Sequence, residues 1–380
     1  MTAPLPEVVR ARAPDWITPE KLDARCVDGD PFPIVDGDIC AFAFAGAAEE
    51  VRLTHFGVGL PADLDFEPLG ESDWWLLALR VPAGSRIEYK LEIVDSFGVR
   101  FIEDPLNPQG ATHPFGANSV CTATGYERPD WTHPDPAAPS GRIVDFELES
   151  AAYGRIATTS VYLPGEFSDA PDAPYPLLIV HDGGDYLQYA EASTVLDNLI
   201  HRGDIPPTVA VFLHPGERLV EYADDERHAT FLAGELVPDL ERELPLVGAP
   251  SGRCVMGASF GAVATLATAW RVPGFFGRLL LQSGSFAGVG VGCRRRPELL
   301  WRPVRDFVRS FIAAPAAVAE RVFVSAGVYE SLICENRALV PVLRATGMDV
   351  RFVEELDGHN WACWRDDLGL ALPWLLEPGQ

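Results

Sequence analysis

A serine stands at the centre of the pentapeptide 257–261 (GASFG). The residues before it, 253–256 (RCVM), are typical of a buried strand, and the alanine-rich run 262–270 is typical of a helix. A serine at a sharp turn from strand to helix has an exposed hydroxyl, and a glycine on each side avoids clashes between the two elements. Free N–H groups at the start of the helix favour a developing anion. The spacing therefore predicts that Ser259 is a nucleophile, with a plain helix N-cap as the alternative.

A serine hydroxyl is a weak nucleophile and needs a histidine base that a carboxylate orients. In folds with this turn, the three residues follow one another along the chain as serine, acid and histidine. His359 is the one histidine of the sequence that comes after Ser259. It follows the last predicted strand, 350–354, and precedes a helix predicted from residue 361. We therefore expect His359 on a loop at the carboxyl edge of a sheet.

The acid is expected just after the preceding strand, which is predicted at 322–325. Glu330 stands about five residues beyond the end of that strand. Glu335 is the second candidate, although it falls on a predicted helix. Asp357 is too close to His359 along the chain for its carboxylate to reach round to the ring. The order of preference is Glu330 and then Glu335.

The tetrahedral intermediate of an ester needs two N–H donors directed at its oxyanion. One is expected from the backbone of Phe260, directly after the nucleophile. The other is expected from the loop after strand 177–181, which contains Gly183 and Gly184. Paired glycines allow a close approach of the backbone. We favour the N–H of Gly184 as the donor, with Gly183 shaping the turn, and a simple tight turn is the alternative.

Two further side chains near these loops are candidates for contact with a substrate. Arg218 follows the fourth strand of the second half, at a carboxyl edge where ligands bind in α/β sheets. A local ion pair with Glu221 is its alternative role. Trp361 comes two residues after His359 and is a candidate for lining an acyl pocket, with core packing as the alternative.

The run Arg294-Arg295-Arg296 is unusual in a chain with 55 acidic and 30 basic residues. It follows a glycine-rich stretch, 283–292, and belongs to a predicted lid-like insertion over the carboxyl edge of the sheet. A solvated charge run is one interpretation. The other is an anion clamp, because guanidinium groups match carboxylates and catecholate oxygens.

The elements that position these residues form two groups. Short strands separated by turn-rich breaks predict a small, immunoglobulin-like β-sandwich as an N-terminal domain over 1–127, with its core at about 36–125. A Pro-rich linker follows at 128–141. From 142 to 380, strands and helices alternate. Alternation of this kind predicts an α/β domain with a mainly parallel sheet between helices.

Composition and residue spacing argue against several kinds of partner and cofactor. The formal net charge of −25 argues against nucleic acid and anionic membranes as partners, and no apolar run approaches the length of ~20 residues that spans a bilayer. The seven cysteines are scattered without a C-x-x-C pair, and the N-terminus has no apolar leader, so we expect a cytoplasmic protein with reduced thiols. The histidine and cysteine spacing predicts no metal site, and no motif predicts a cofactor.

Three segments together resemble the esterase D-like family of α/β-hydrolases, especially the enterochelin esterase-like proteins. They are 257–261 (GASFG), 326–332 (AGVYESL) and 357–365 (DGHNWACWR). The resemblance covers most of 142–380, and 103–108 (EDPLNP) resembles the end of the sandwich domain that precedes the hydrolase domain in enterochelin esterases. It implies an α/β-hydrolase fold with Ser259, Glu330 and His359 as the catalytic triad. This chain has Asp357 where the family commonly has the first glycine of a Gly-Gly-His motif.

The residues and the resemblance together predict a serine carboxylic ester hydrolase that works through an acyl-enzyme. The substrate expected first is a small, anionic catecholate siderophore lactone of the enterobactin type. An acetyl or feruloyl ester on a carbohydrate is the alternative substrate. An acyltransferase of the same fold and a non-catalytic binding protein are the alternative functions. The sequence leaves the oligomeric state open.

Overall fold

The computed structural model describes residues 7–55, 60, 64–289 and 298–377. The chain forms two compact units, which we call the N-terminal unit and the C-terminal unit. The N-terminal unit comprises 1–127 together with two short later segments, 327–331 and 355–360. The C-terminal unit comprises 128–326, 332–354 and 361–380.

The N-terminal unit is built mainly of short strands. Its elements are β1 (Val9–Arg10), α1 (Pro19–Asp28), β2 (Ile34–Asp36), β3 (Ile39–Ala45), β4 (Glu50–Thr54), β5 (Glu67–Pro68), β6 (Trp74–Arg80), β7 (Arg86–Asp95), β8 (Gly98–Ile102), β9 (Gly110–His113) and β10 (Gly116–Thr122). One antiparallel sheet has the order β1-β6-β3-β2, with β5 beside β6. The other has the order β4-β7-β10-β9, with β8 beside β7.

The core of the N-terminal unit follows from the alternation of side chains along these strands. In β7, Tyr89, Leu91 and Ile93 are buried, whereas the residues between them are less so. Successive side chains of a strand point to opposite faces of the sheet, so one face of β7 is apolar. That face shares one apolar cluster with Phe42 of β3 in the other sheet. Val328 and Tyr329, from the segment 327–331, belong to the same cluster.

The C-terminal unit alternates strands with helices. Its elements are β11 (Arg142–Ser150), β12 (Arg155–Leu163), β13 (Leu177–Val180), α2 (Gly183–Tyr189), α3 (Ala192–His201), β14 (Val209–Leu213), α4 (Arg218–Glu221), α5 (Glu226–Thr230), α6 (Val237–Glu243), β15 (Arg253–Ala258), α7 (Phe260–Arg271), β16 (Arg278–Gln282), α8 (Glu298–Ala313), β17 (Arg321–Gly327), α9 (Ile333–Ala345), β18 (Asp349–Glu355) and α10 (Trp361–Leu376). A π-helical segment, Phe231–Leu236, joins α5 to α6.

These strands form one mixed sheet of eight, in the order β11-β12-β14-β13-β15-β16-β17-β18. The pairs β11–β12 and β12–β14 are antiparallel, and the pairs from β14 to β17 are parallel. Beside β17, β18 begins at Asp349, whose N–H donates to the carbonyl of Glu320 over 3.0 Å. The predicted α/β arrangement of this part of the chain, a largely parallel sheet with helices, is confirmed.

Helices cover both faces of this sheet, as its burial pattern requires. In β13, Leu177 and Ile179 pack into one apolar cluster with residues of α6, α7, α8 and α9. The alternate residues Leu178 and Val180 pack into a second cluster with residues of α3 and α10. Parallel strands covered on both faces are continuously apolar, as β13 is.

The order of the strands reverses at β13. The chain moves from β13 to β14 on one side, and then returns to β15 on the other side of β13. Open α/β sheets bind their ligands outside the carboxyl ends of the strands at such a reversal. The carboxyl ends of β13 and β15 carry the predicted oxyanion loop and Ser259.

Two features of the chain concern membranes and metals. Within the part of the chain that the structure describes, every helix is too short or too polar to cross a lipid bilayer. Among the same residues, no group of three or more His, Cys, Asp or Glu side chains is arranged to hold a metal ion.

Candidate active site

Ser259 occupies a strained turn between β15 and α7. Its backbone has φ 57° and ψ −116°, a conformation that non-glycine residues rarely adopt. A Cβ atom at Gly257 would lie closer than 3.0 Å to the backbone of Gly261, and one at Gly261 would lie 3.1 Å from the Cβ of His181. Position 257 therefore requires glycine, and a side chain at 261 would need His181 to shift by a few tenths of an ångström.

A second serine contacts the hydroxyl of the first. The Oγ atoms of Ser259 and Ser285 are 3.1 Å apart, and the N–H of Ser285 donates to the Ser259 carbonyl over 3.1 Å. Ser285 is buried, whereas Ser259 is partly accessible. Sequence reasoning missed Ser285. The signal was its position just after β16, since β16 pairs in parallel with β15 and the two strands end at the same edge of the sheet.

The two glycines of the predicted oxyanion loop form the first turn of α2. A Cβ at Gly183 would lie closer than 3.0 Å to the backbone of Phe212 in β14, and one at Gly184 would lie 3.3 Å from Nδ1 of His214. Asp182, which precedes them, has a left-handed backbone with φ 54°. N–H groups in the first turn of a helix have no partner within that helix. The N–H groups of Gly183 and Gly184 therefore make no hydrogen bond within α2.

Arg218 binds the residue that precedes these glycines. Its Nε and Nη2 donate to the two carboxylate oxygens of Asp182 over 2.6 and 2.7 Å. The guanidinium also lies over the ring of Phe260, 5.9 Å from the centroid, within the range of a cation–π contact. The local partner that the sequence left open, Glu221, binds Arg155 over 2.7 Å. Arg218 therefore contacts both Asp182, which precedes the two glycines, and Phe260, which follows Ser259, and its side chain is 37% exposed.

A buried chain of polar side chains lies behind this loop. The Tyr153 hydroxyl is 2.6 Å from Nδ1 of His228, and Nε2 of His228 is 2.8 Å from Nε2 of His181. Nδ1 of His181 lies 2.8 Å from the carbonyl oxygen of Met256 in β15. Burial lowers the pKa of His181 to about 4, and it holds the pKa of His228 well below its usual value. Both imidazoles are therefore neutral at pH 7, and together they connect the oxyanion loop to the strand that carries Ser259.

The neutral state of His228 gives a prediction about pH. In the unfolded chain a histidine with a pKa near 6.5 takes up a proton at pH 5, whereas buried His228 does not. The unfolded state then binds more protons, so the folded state loses about 2 kcal/mol for each such histidine between pH 7 and pH 5. We expect the free energy of unfolding of the wild type to exceed that of His228→Gln by less at pH 5 than at pH 7. Denaturant titrations of both proteins measure this difference, and a constant difference would contradict a neutral His228.

Trp361 belongs to a cluster of aromatic side chains at the start of α10. Its ring centroid lies 5.3 Å from that of Tyr186, 6.0 Å from that of Tyr189 and 4.8 Å from that of Trp364. Trp361 and Tyr189 are partly accessible, whereas Tyr186 and Trp364 are buried. Buried Tyr186 donates its hydroxyl to Gln282 at the end of β16, over 2.6 Å. Trp361 therefore packs against the core and also presents an accessible surface.

His359 and Glu330 form a hydrogen-bonded pair within the N-terminal unit. Nδ1 of His359 lies 2.7 Å from Oε2 of Glu330. Glu330 is fully buried, and its Oε1 has no hydrogen-bond partner among the described residues, whereas 26% of the His359 side chain is exposed. Of the competing acids, Glu335 lies in the first turn of α9 and the carboxylate of Asp357 binds Arg86. The structure thus pairs Glu330 with the imidazole.

The predicted site residues are divided between the two units, apart from three arginines. Arg294, Arg295 and Arg296 lie outside the described residues. Ser259 and Phe260 belong to the C-terminal unit, and so do Gly183, Gly184, Arg218 and Trp361. Glu330 and His359 belong to the N-terminal unit, in the segments that follow β17 and β18.

Comparison with known proteins gives the class of the chain. Residues 150–375 match the Esterase family, which is described as "Putative esterase". The iron(III) enterobactin esterase of Escherichia coli O6:H1 (strain CFT073) is 28% identical over 288 residues, which are 73% of this chain and 68% of that protein.

Two solved structures resemble the chain in fold. The ferric enterobactin esterase of Salmonella typhimurium matches 94% of this chain and 99% of its own, with a TM-score of 0.75 and 21% identity. A ferulic acid esterase matches 63% of this chain and 99% of its own, with a TM-score of 0.54 and 20% identity. The fold is α/β-hydrolase-like. With its strained serine turn and its family match over 150–375, the chain belongs to this esterase family and is a carboxylic ester hydrolase.

Proposed function

We propose that Ser259, His359 and Glu330 act together as a catalytic triad on a carboxylic ester. The observation that carries this proposal is the hydrogen-bonded pair of Glu330, which is buried, and His359, which is partly exposed, 2.7 Å apart. Glu330 follows β17 and His359 follows β18. Both strands belong to the same sheet as β15, which ends directly before Ser259. In a catalytic triad the carboxylate binds Nδ1 of the histidine and the serine hydroxyl faces Nε2.

The topology of the sheet supports this grouping. The parallel register matches Ala258 at the end of β15 with Gln282 of β16, and Gln282 with Ser325 of β17. At the ends of β17 and β18, the N–H of Val328 donates to the carbonyl of Glu355 over 2.8 Å. Parallel strands end at one edge of a sheet, so the segments after β15, β17 and β18 all start from the same edge.

The proposed reaction has two halves. His359 removes the proton of the Ser259 hydroxyl as that oxygen attacks the ester carbonyl, and Glu330 stabilises the imidazolium that forms. The backbone N–H groups of Phe260 and Gly184 hold the oxyanion of the tetrahedral intermediate, with Gly183 shaping their turn. The imidazolium then gives its proton to the leaving alcohol, which departs and leaves an acyl-enzyme. In the second half His359 activates a water molecule that releases the acid.

For the substrate, we propose a catecholate siderophore lactone of the enterobactin type. The E. coli and Salmonella relatives named above support this choice, since their names specify enterobactin and the likeness to the Salmonella structure covers 94% of this chain. The likeness to the ferulic acid esterase covers 63%. In a chain of net charge −25, an anionic substrate needs local cations. Arg218 and the run Arg294-Arg295-Arg296 are the residues we propose for this role, with Trp361 against the aromatic rings.

We also propose that the N-terminal unit is an immunoglobulin-like sandwich domain over 1–127, followed by the linker 128–141 and the hydrolase domain from 142 to 380. The apolar cluster that its two sheets share supports the sandwich. The location we propose is the cytoplasm, where thiols stay reduced. The six described cysteines are all free, which is compatible with that compartment.

A substrate panel tests the proposed specificity. We expect kcat/KM for enterobactin and its ferric complex to exceed kcat/KM for a feruloylated sugar by at least about 100-fold, since a site built to bind a polar substrate discriminates strongly. An aryl acetate serves as the common reference for activity. A preference for the feruloylated sugar would support the carbohydrate-ester alternative instead. Acyl transfer to an added alcohol at the expense of hydrolysis would indicate an acyltransferase.

A further inference from the structure

Arg86 is a buried cation in the N-terminal unit whose side chain reaches the segment that carries His359. It is the first residue of β7 and is 5% exposed. Its Nη1 donates to Oδ2 of Asp357 over 3.2 Å and to Oδ1 of Asn360 over 3.0 Å. Its Nη2 donates to Glu88 over 2.8 Å, and its backbone N–H donates to the carbonyl of Leu356 over 2.9 Å. One residue of β7 thus makes three contacts with the segment 355–360.

The two side chains that Arg86 holds are placed on either side of His359. Oδ1 of Asp357 accepts hydrogen bonds from the N–H of Gly358 over 2.6 Å and from Nδ2 of Asn360 over 2.7 Å. Asp357 and Asn360 are both buried. The turn before and after the imidazole is therefore closed by side chains that bond to each other and to Arg86.

The neighbouring residue of Arg86 contacts the segment that carries the acid. The hydroxyls of Ser85 and Tyr329 are 2.6 Å apart and buried. Tyr329 directly precedes Glu330, and its N–H donates to the carbonyl of Asp357 over 3.0 Å. Ser85, just before β7, and Arg86, its first residue, therefore contact the segment of Glu330 and the segment of His359, respectively.

A buried ion pair of this kind often adds little to the stability of a fold. Removing two charges from water is unfavourable, and apolar residues of similar volume often stabilise a fold as well or better. A guanidinium with several fixed donors does, however, fix the geometry of the groups it binds. Catalysis needs that precision, since a displacement of ~1 Å of a catalytic group reduces turnover by about 100-fold.

We propose that Arg86 is a positioning residue for His359, acting through Asp357 and Asn360, so that Arg86 contributes to catalysis without touching the substrate. The proposal rests on the function proposed above, in which His359 is the base. It also gives a role to Asp357, a buried carboxylate two residues before His359. The carboxylate of Asp357 supplies the acceptor that Arg86 binds.

The test measures kcat and KM for an aryl acetate in Arg86→Gln and Arg86→Lys, each made in the wild type and in His359→Ala. In the wild-type background we expect Arg86→Gln to reduce kcat by about 100-fold while KM changes by less than about 2-fold. Arg86→Lys keeps the charge but loses the forked geometry, so its loss of kcat should be smaller. In the His359→Ala background, Arg86→Gln should change the residual rate by less than about 2-fold, because the group it positions is gone.

Tyr89→Phe is the matched control. Tyr89 lies on the same strand, and its buried hydroxyl bonds Asp104 over 2.6 Å and Asn107 over 3.0 Å. We expect it to lower the melting temperature without changing kcat. Should Arg86→Gln fail to fold, Asn360→Ala replaces it, with an expected loss of kcat of about 10-fold that also disappears in the His359→Ala background.

Three results separate the outcomes. A folded Arg86→Gln protein with unchanged kcat would overturn the positioning role. An equal loss of activity in the wild-type and His359→Ala backgrounds would overturn it as well, since the effect would then bypass His359. Full activity of His359→Ala itself would instead contradict the proposed triad.

Discussion

Replacing Ser259 with alanine is expected to reduce kcat for an aryl acetate by about 10⁵-fold or more. The variant has no hydroxyl to acylate, so the burst of product that marks an acyl-enzyme should also disappear. The fold should persist, because alanine fits a position that already holds a small side chain at φ 57°. Stopped-flow kinetics and the melting temperature together measure both parts of this expectation.

Two serine variants serve as comparisons. Ser251→Ala, at an exposed position just before β15, should retain wild-type kcat. Ser285→Ala removes the hydroxyl that lies 3.1 Å from Ser259 but keeps the nucleophile, so we expect a loss of about 10-fold at most. Wild-type turnover in Ser259→Ala would refute the assignment of the nucleophile. A loss of kcat in Ser285→Ala that exceeds the loss in Ser259→Ala would assign that role to Ser285.

Replacing Glu330 with glutamine is expected to reduce kcat by about 10⁴-fold. The shape of the side chain is retained, but an amide can donate to Nδ1 of His359 and hold the ring in the wrong tautomer. It also withdraws the negative charge that stabilises the imidazolium. The melting temperature should not fall, because a neutral amide replaces a carboxylate that is fully buried.

Glu335→Gln is the matched control for this change. Glu335 is also a buried acid and was the second candidate from the sequence, but it lies in the first turn of α9. We expect its kcat to stay within about 3-fold of the wild type. A greater loss in Glu335→Gln than in Glu330→Gln would show that the wrong acid has been assigned.

The part of the site that depends on local structure was predictable from sequence. The turn at Ser259 requires glycine at 257 and favours glycine at 261, and an apolar strand and an alanine-rich helix flank it. These requirements act over a few neighbouring residues, so composition and spacing reveal them. The pairing of Glu330 with His359 followed from chain order, since both residues come just after strands.

Contacts between distant parts of the chain were not predictable in the same way. Arg218 binds Asp182, which lies 36 positions away, although Glu221 is its nearer acid along the chain. Arg86 binds Asp357 across 271 positions. Such pairs depend on the register of strands and on the course of loops, neither of which leaves a periodic signal. Val328 and Tyr329 follow β17 directly, yet they pack in the core of the N-terminal unit.

In the proposed mechanism Ser259 is the nucleophile and the Glu330–His359 pair activates it. The most direct measurement is the rate at which a fluorophosphonate labels the protein, with the modified peptide identified by mass spectrometry. We predict one adduct, on Ser259, that is absent in Ser259→Ala and that forms at least about 100-fold more slowly in His359→Ala and Glu330→Gln. An adduct on another residue, or labelling of Ser259 at the wild-type rate in both of those variants, would contradict the claim.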